Sequence, residues 1–318
     1  MPSAAETISP SRASQQVATS DPGALRSHPH DEIVVPSRPV IERLPVNVVE
    51  PVDVCVSSSG QIFVADRRQQ AVFRIDPDGE VHLALAGIEQ LKRVSCDRAG
   101  RIYVLAGQAG DQRLLEITQA GYVATFGSYG FEVVGVQLQD PDGVILAARD
   151  GRIYQQLRGG EPELLANVAE PIRDICAATS GATVVLTESG KCQLVARGNL
   201  VRQLATVPAA SDRLFVLPSG QLAALVAPLD SRPMIVESVT SSEGNSQDTT
   251  KPFAQLPQGT AAVAFDRLGN LCLANPELRA VTRVTNHFEV PCPHCSKLIP
   301  MRFSTEPPQP AAQSSGSF

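Results

Sequence analysis

Six glycines divide this chain into similar lengths. Gly60, Gly100, Gly143, Gly181, Gly220 and Gly269 follow one another at steps of 40, 43, 38, 39 and 49 residues. Each follows one apolar run and introduces another. A period in this range, with several short strands in each unit, marks a propeller or a related repeat array. A single unit of this kind cannot bury its own faces, so the repeats must stack into one domain.

Each unit repeats the same grammar. An apolar run comes first, such as VDVCV at 52–56 or DICA at 174–177. A turn with the repeat glycine follows, where glycine supplies a backbone with φ > 0. A second strand comes next: QIFVA at 61–65, RIYVL at 101–105, VILAA at 144–148, TVVLT at 183–187, QLAAL at 221–225 and NLCLA at 270–274. A third strand such as VFRID at 72–76 leads through a turn, DPDG at 76–79, to a fourth such as VHLAL at 81–85. Turn residues bounding apolar runs of this length indicate antiparallel strands. Strands covered on both faces by neighbours read as apolar on both sides rather than alternating.

The expected fold is therefore all-β: a six-bladed β-propeller of four-stranded antiparallel blades, a closed ring with few exposed sheet edges. VIERLP at 40–45 is similar to the fourth strands FAQLP at 253–257 and LVRQL at 200–204. It is expected to complete the sixth blade, so that an N-terminal strand closes the ring. HFEV at 287–290 competes for that slot, but Pro291 cuts it short. The propeller is assigned to 32–290. Residues 1–31 and the tail after about 304 are rich in Ser, Ala, Pro and Gln without periodicity, and both are expected to be disordered. The segment 291–318 carries a CPHC motif and that tail.

Composition narrows the function classes. The net charge of −6, with both signs interspersed, lacks the basic stripe of a nucleic-acid binder. No apolar run is long enough for a membrane span, and the N-terminus has no signal-like apolar core. Seven cysteines in a chain of 318 residues, with no export signal, read as reduced thiols in a cytoplasmic protein. With 4% aromatics and no Trp, the core must be built from Val, Leu, Ile and Ala.

The first unit resembles an NHL repeat, P-x-x-V-x-V-x-x-x-G-x-I-Y-V-A-D followed by a strand ending D-P-D-G. Pro51, Val54, Val56, Gly60, Ile62, Phe63, Val64, Ala65, Asp66 and Asp76-Pro77-Asp78-Gly79 match. CDRAGRIYVL at 96–105 and FDRLGNLCLAN at 265–275 match in part, and units three to five keep the period alone. The resemblance implies a six-bladed propeller, most often a binding scaffold, and more distantly a likeness to regucalcin/gluconolactonase-type propellers. Fold by itself does not settle the activity.

Aligned on the repeat glycine, the units expose one position seven residues upstream: Asp53, Arg93, Val136, Asp174, Arg213 and Ala262. A one-residue shift in unit three would put Gly135 there instead. Innermost strands line the central channel, so two Asp and two Arg are expected near one mouth. They form either a polar funnel that grips a small anion or peptide carboxylate through Arg, or inter-blade ion pairs that plug the channel. The loops after the second strands offer Asp66, Arg67, Arg68 and Gln69, and then Gln108 and Asp111, as partner contacts or solvated surface. The polar stretch SVTSSEGNSQDTTK at 238–251 lengthens unit five.

Cys292 and Cys295 have zinc-knuckle spacing, with His287 and His294 nearby. A structural Zn²⁺ takes four ligands; His287 and His294 are candidates for the others, a second chain could supply the missing pair, and the alternative is a degenerate knuckle or a surface thiol pair. Cys55, Cys96, Cys176, Cys192 and Cys272 lie in or beside expected strands and read as core. Enzyme signatures are thin. Glu50-Pro51 stands where gluconolactonase-type propellers carry a metal-ligating Glu. However, Gln258-Gly259 replaces their Asp-Gly, and Glu50, Asp53 and Asp174 make a poor set for a hard cation. A virginiamycin B lyase-type propeller needs a His base at the mouth. His28, His30, His82, His287 and His294 all fall elsewhere. The expected function is a non-enzymatic NHL-like propeller, a scaffold for a protein partner or small polar ligand, with no nucleic acid or membrane. The alternative is a divergent propeller hydrolase or lyase acting at the channel mouth. Oligomeric state stays open.

Overall fold

The computed structural model describes residues 40–302 apart from 140–142, 179–180, 197–199, 218, 228–231, 240–248, 267, 286 and 292–297. Val40–Arg43 forms β1. Blade 1 holds β2 (Pro51–Val56), β3 (Ile62–Asp66), β4 (Ala71–Ile75) and β5 (Val81–Ala86). Blade 2 holds β6 (Leu91–Cys96), β7 (Ile102–Gln108), β8 (Asp111–Ile117) and β9 (Val123–Tyr129). Blade 3 holds β10 (Val133–Gln139), β11 (Gly143–Ala148), β12 (Arg152–Leu157) and β13 (Glu163–Asn167). Blade 4 holds β14 (Ile172–Ala177), β15 (Thr183–Thr187), β16 (Lys191–Ala196) and β17 (Leu200–Thr206). Blade 5 holds β18 (Ser211–Val216), β19 (Leu222–Val226), β20 (Met234–Val239) and β21 (Thr249–Gln255). Blade 6 holds β22 (Ala262–Phe265), β23 (Leu271–Asn275) and β24 (Ala280–Thr285).

The protein is a six-bladed propeller of four-stranded antiparallel sheets. In blade 6 the fourth strand is β1, paired with β24 from Val40↔Thr285 to Arg43↔Thr282. The competing segment lies in β25 (His287–Pro291), which pairs with β26 (Leu298–Arg302) in a separate hairpin. No helix among the described residues is long and apolar enough to cross a membrane.

Burial follows position within the blade. The second strands β3, β11, β15 and β23 are buried at every residue. The outer strand β13 is mostly exposed, and β5 has no buried residue, only half-buried and exposed ones. The core is accordingly six inter-blade seams. Val52, Phe63, Leu91 and Val104 pack between blades 1 and 2, for example, and Val184, Leu214 and Val236 between blades 4 and 5. Each fully buried Val, Leu or Ile contributes about 1.5–3 kcal/mol relative to exposure, and an apolar set repeated at each seam holds the ring without Trp.

Five of the six repeat glycines have φ between 76° and 87°, as the a–b turn requires. Gly143 is the exception: it is the first residue of β11, already in the ladder opposite Leu157 and Gln139. The sequence does not announce a bulge in the inner strand of each of blades 1 to 5. Their register skips from Pro51 to Asp53, Leu91 to Arg93, Val133 to Gly135, Ile172 to Asp174 and Ser211 to Arg213. A bulge re-aims the side chains around it, and these five stand at one end of the channel.

Candidate functional site

The pairing register fixes the ring. Asp53 pairs with Ala65, Arg93 with Leu105, Gly135 with Ala147, Asp174 with Leu186, Arg213 with Leu225 and Ala262 with Ala274. Gly135, not Val136, is therefore the blade 3 member. Read around the axis, the ring is Asp, Arg, small, Asp, Arg, small.

Each Asp uses its two oxygens differently. Asp53 Oδ2 accepts the Val94 backbone N–H at 2.9 Å, and Asp174 Oδ2 accepts that of Leu214 at 2.8 Å. These bonds tie blade 1 to blade 2 and blade 4 to blade 5. The other oxygens face arginines two blades away. Arg93 Nη1 stands 2.8 Å from Asp174 Oδ1, and Arg213 Nη2 stands 3.6 Å from Asp53 Oδ1. The ion pairs thus reach past blades 3 and 6, where the ring residues Gly135 and Ala262 are small. Asp53 and Asp174 are buried, while each Arg keeps 17–18% of its side chain exposed. Burial and the nearby Arg213 charge hold the Arg93 pKa below its ordinary value, against the pull of Asp174 and Asp53.

Above this ring, at the end where the inner strands begin, opens a cavity of about 480 Å³. Arg93 and Arg213 line it, with their carboxylate partners beneath. Lys92 and Arg173, the residues skipped by the register in β6 and β14, point into it, and Arg67 and Arg149 come from loops after second strands. Most of these cations are held. Arg67 pairs with Glu50 at 3.1 Å, Arg149 with Glu132 and Glu188 at 2.9 Å each, and Arg173 with Asp212 at 3.3 Å. Lys92 has no ion pair among the described residues. Burial lowers its pKa, and Arg149 and Arg67 add to that against Glu132. Sequence reasoning missed Lys92, Arg149 and Arg173. Lys92 and Arg173 immediately precede ring residues, but only a bulge turns that neighbour toward the mouth.

Other sequence candidates have structural work. Asp66 is fully buried, and its carboxylate accepts the backbone N–H groups of Val49, Glu50 and Gln69. Glu50 is committed to Arg67. The Gln258 carbonyl accepts Asn275 Nδ2 at 2.7 Å. His82, on the outer strand β5, stands 3.1 Å from Asp76. The five described cysteines are free thiols. Cys192 and Cys272 are fully buried, whereas Cys55, Cys96 and Cys176 are half-buried. Burial pushes the Cys272 thiol up to about 12 and raises Cys55 and Cys176 as well, so these thiols stay protonated at neutral pH. Cys292 and Cys295 lie outside the described residues. Among the described residues no three His, Cys, Asp or Glu side chains converge as a metal set.

No family model and no curated protein matches this chain. Solved structures do, at the level of fold. A putative gluconolactonase is 11% identical with a TM-score of 0.59, over 85% of this chain and 96% of its own. Virginiamycin B lyase from Staphylococcus aureus is 11% identical with a TM-score of 0.56, over 78% and 99%. A Bacteroides thetaiotaomicron protein of unknown function is 8% identical with a TM-score of 0.60, over 80% and 73%. The class established is the six-bladed β-propeller, with a distant likeness to gluconolactonase-type members.

Proposed function

We propose that this propeller is a binding scaffold whose ligand is a small organic or inorganic anion held at the channel mouth. Arg93 and Arg213 form the floor of the site, Asp53 and Asp174 hold them from below, and Lys92 meets the ligand from the rim. The single observation that carries this reading is Lys92, a cation without an ion pair among the described residues, beside two guanidinium groups that face a cavity. Arginine forks already fixed by carboxylates lose little freedom when they bind a carboxylate or phosphate. The other cations of the mouth are paired, so the site suits one or two negative charges rather than a polyanion.

The test is calorimetric titration with succinate and with phosphate. Lys92→Met should weaken binding about tenfold, the effect of losing one charge-assisted contact, and should leave the melting temperature unchanged. Absence of binding by both anions, or equal binding by the variant, rejects the reading. A second reading is favoured by the fold neighbours, two of which are described as a lyase and a putative gluconolactonase. Under it, the same mouth turns a substrate over. Hydrolysis of gluconolactone that is lost in Glu50→Gln would put that reading first.

Zinc at Cys292 and Cys295 is a separate proposal. Two thiolates supply half of a tetrahedral set, and a second chain would supply the rest. Equal metal content in wild type and Cys292→Ser would end it.

A further inference from the structure

At the far end of the channel, where the inner strands finish, a larger cavity of about 920 Å³ opens over blade 3. Its chemistry differs from that of the mouth. Three glutamines line it, Gln137 and Gln139 from β10 and Gln155 from β12, beside Leu138 and Leu157. Gln155 Nε2 donates to Gln139 Oε1 at 3.0 Å. Gln137 is 6% exposed, and its Oε1 is buried without a hydrogen-bond partner among the described residues. A buried acceptor left unpaired costs about 1–3 kcal/mol, and folded proteins keep few of them.

Three charged groups line the cavity edge, Asp97, Arg98 and Arg158, and none of them is without a partner. Arg158 Nη2 donates to Glu116 Oε1 at 2.7 Å, and Asp97 is held by Arg101 Nε at 2.5 Å. Leu157 is 62% exposed at the rim, an apolar surface beside the amides. Gly143 sits behind that wall. A Cβ there would stand 3.3 Å from Leu157 Cδ2, so its bare backbone lets that side chain settle back. This also gives the one repeat glycine that does not form a left-handed turn a role of its own.

We propose that this cavity binds a neutral polyhydroxylated molecule of the saccharide class. Gln137 Oε1 is closed off in the ligand-free protein, and a turn of its amide toward the cavity lets it accept from a ligand hydroxyl. The neighbouring amides exchange donors and acceptors with further hydroxyls, and Leu157 covers the C–H face of the sugar ring. The paired charges at the edge offer little to an anion, and the amides disfavour a purely apolar guest. Cavity size falls in the range of small-molecule sites, roughly 300–1,000 Å³. The site is independent of the mouth.

The experiment is ligand-observed NMR on the full chain with glucose, maltose and myo-inositol as probes, and phosphate as the probe for the mouth. At least one polyol should bind. Gln137→Met should weaken it about three- to tenfold, the equivalent of one hydrogen bond, and Leu157→Ser should weaken it as well. The ligand-free Gln137→Met protein should melt no lower than wild type, because the variant removes the unpaired acceptor. Lys92→Met should leave polyol binding unchanged. The proposal is overturned if none of the three polyols binds, which leaves Gln137 Oε1 to ordered water alone, or if binding survives undiminished in Gln137→Met. Should Gln137→Met fail to fold, undiminished binding in Leu157→Ser overturns it, because that side chain is exposed and its loss does not threaten the core.

Discussion

A Cβ on Gly135 would stand 2.5 Å from Ile175 Cγ2 and 3.1 Å from Asp174 Oδ1. Blade 3 lies between Arg93 and Asp174, so glycine at its ring position is what leaves the carboxylate room beside the neighbouring strand. Gly135→Val should therefore destabilise the protein by about 1–3 kcal/mol through overpacking and loosen the Arg93–Asp174 contact. Thermal melts of Gly135→Val beside Val136→Ala test this, and equal melting temperatures in the two variants would contradict it. Asp174→Asn acts through charge instead. It leaves Arg93 in a desolvated place without its counter-ion, a loss of about 3–5 kcal/mol for a buried pair broken on one side. Asp174→Asn should accordingly melt lower than Lys92→Met, which breaks no ion pair.

At the scale of the element, the strand grammar was legible. TVVLT at 183–187 is β15 residue for residue, and NLCLA at 270–274 differs from β23 by one. Apolar runs bounded by turn residues carry that information locally. Bulges and ion-pair partners were not legible, for a physical reason. Aligning the repeats gives the order of residues around the ring, but neither the local twist that aims Lys92 nor how far a guanidinium reaches. The expected neighbours Asp53 and Arg93 are joined through the Val94 backbone, and each arginine finds its carboxylate two blades on. The hairpin of β4 and β5 gives a prediction at this scale. Burial would raise the Asp76 pKa, but the Gln61 amide, the Arg74 guanidinium and His82 outweigh it and hold it below 3.8. A carboxyl with a depressed folded pKa contributes stability that is complete above its unfolded value and lost as pH falls through the folded one. The melting temperature should thus fall below pH 3.8, and less steeply in Asp76→Asn. Parallel curves would remove Asp76 from the account.

Across the whole molecule, the order Asp, Arg, small occurs twice, with blades 1 to 3 matched by blades 4 to 6. The consequence is cooperativity. In a repeat protein each unit ordinarily touches its neighbours alone, and stability is close to a sum of local terms. Here the Arg93–Asp174 pair couples blade 2 to blade 4, and Arg213–Asp53 couples blade 5 to blade 1. The natural chromophores allow this coupling to be measured. The chain has no Trp, and its four Tyr, at 103, 122, 129 and 154, all lie in blades 2 and 3. Tyrosine fluorescence therefore reports those two blades, whereas far-UV circular dichroism reports all six. In urea the two signals should follow one transition for the wild type, as a two-state unfolding requires. In Asp53→Asn/Asp174→Asn they should separate, because blade 2 loses its direct tie to blade 4 and blade 1 its tie to blade 5. Coincident transitions in the double variant would mean that the apolar seams alone make the ring cooperative, and that the ion pairs serve only to shape the mouth.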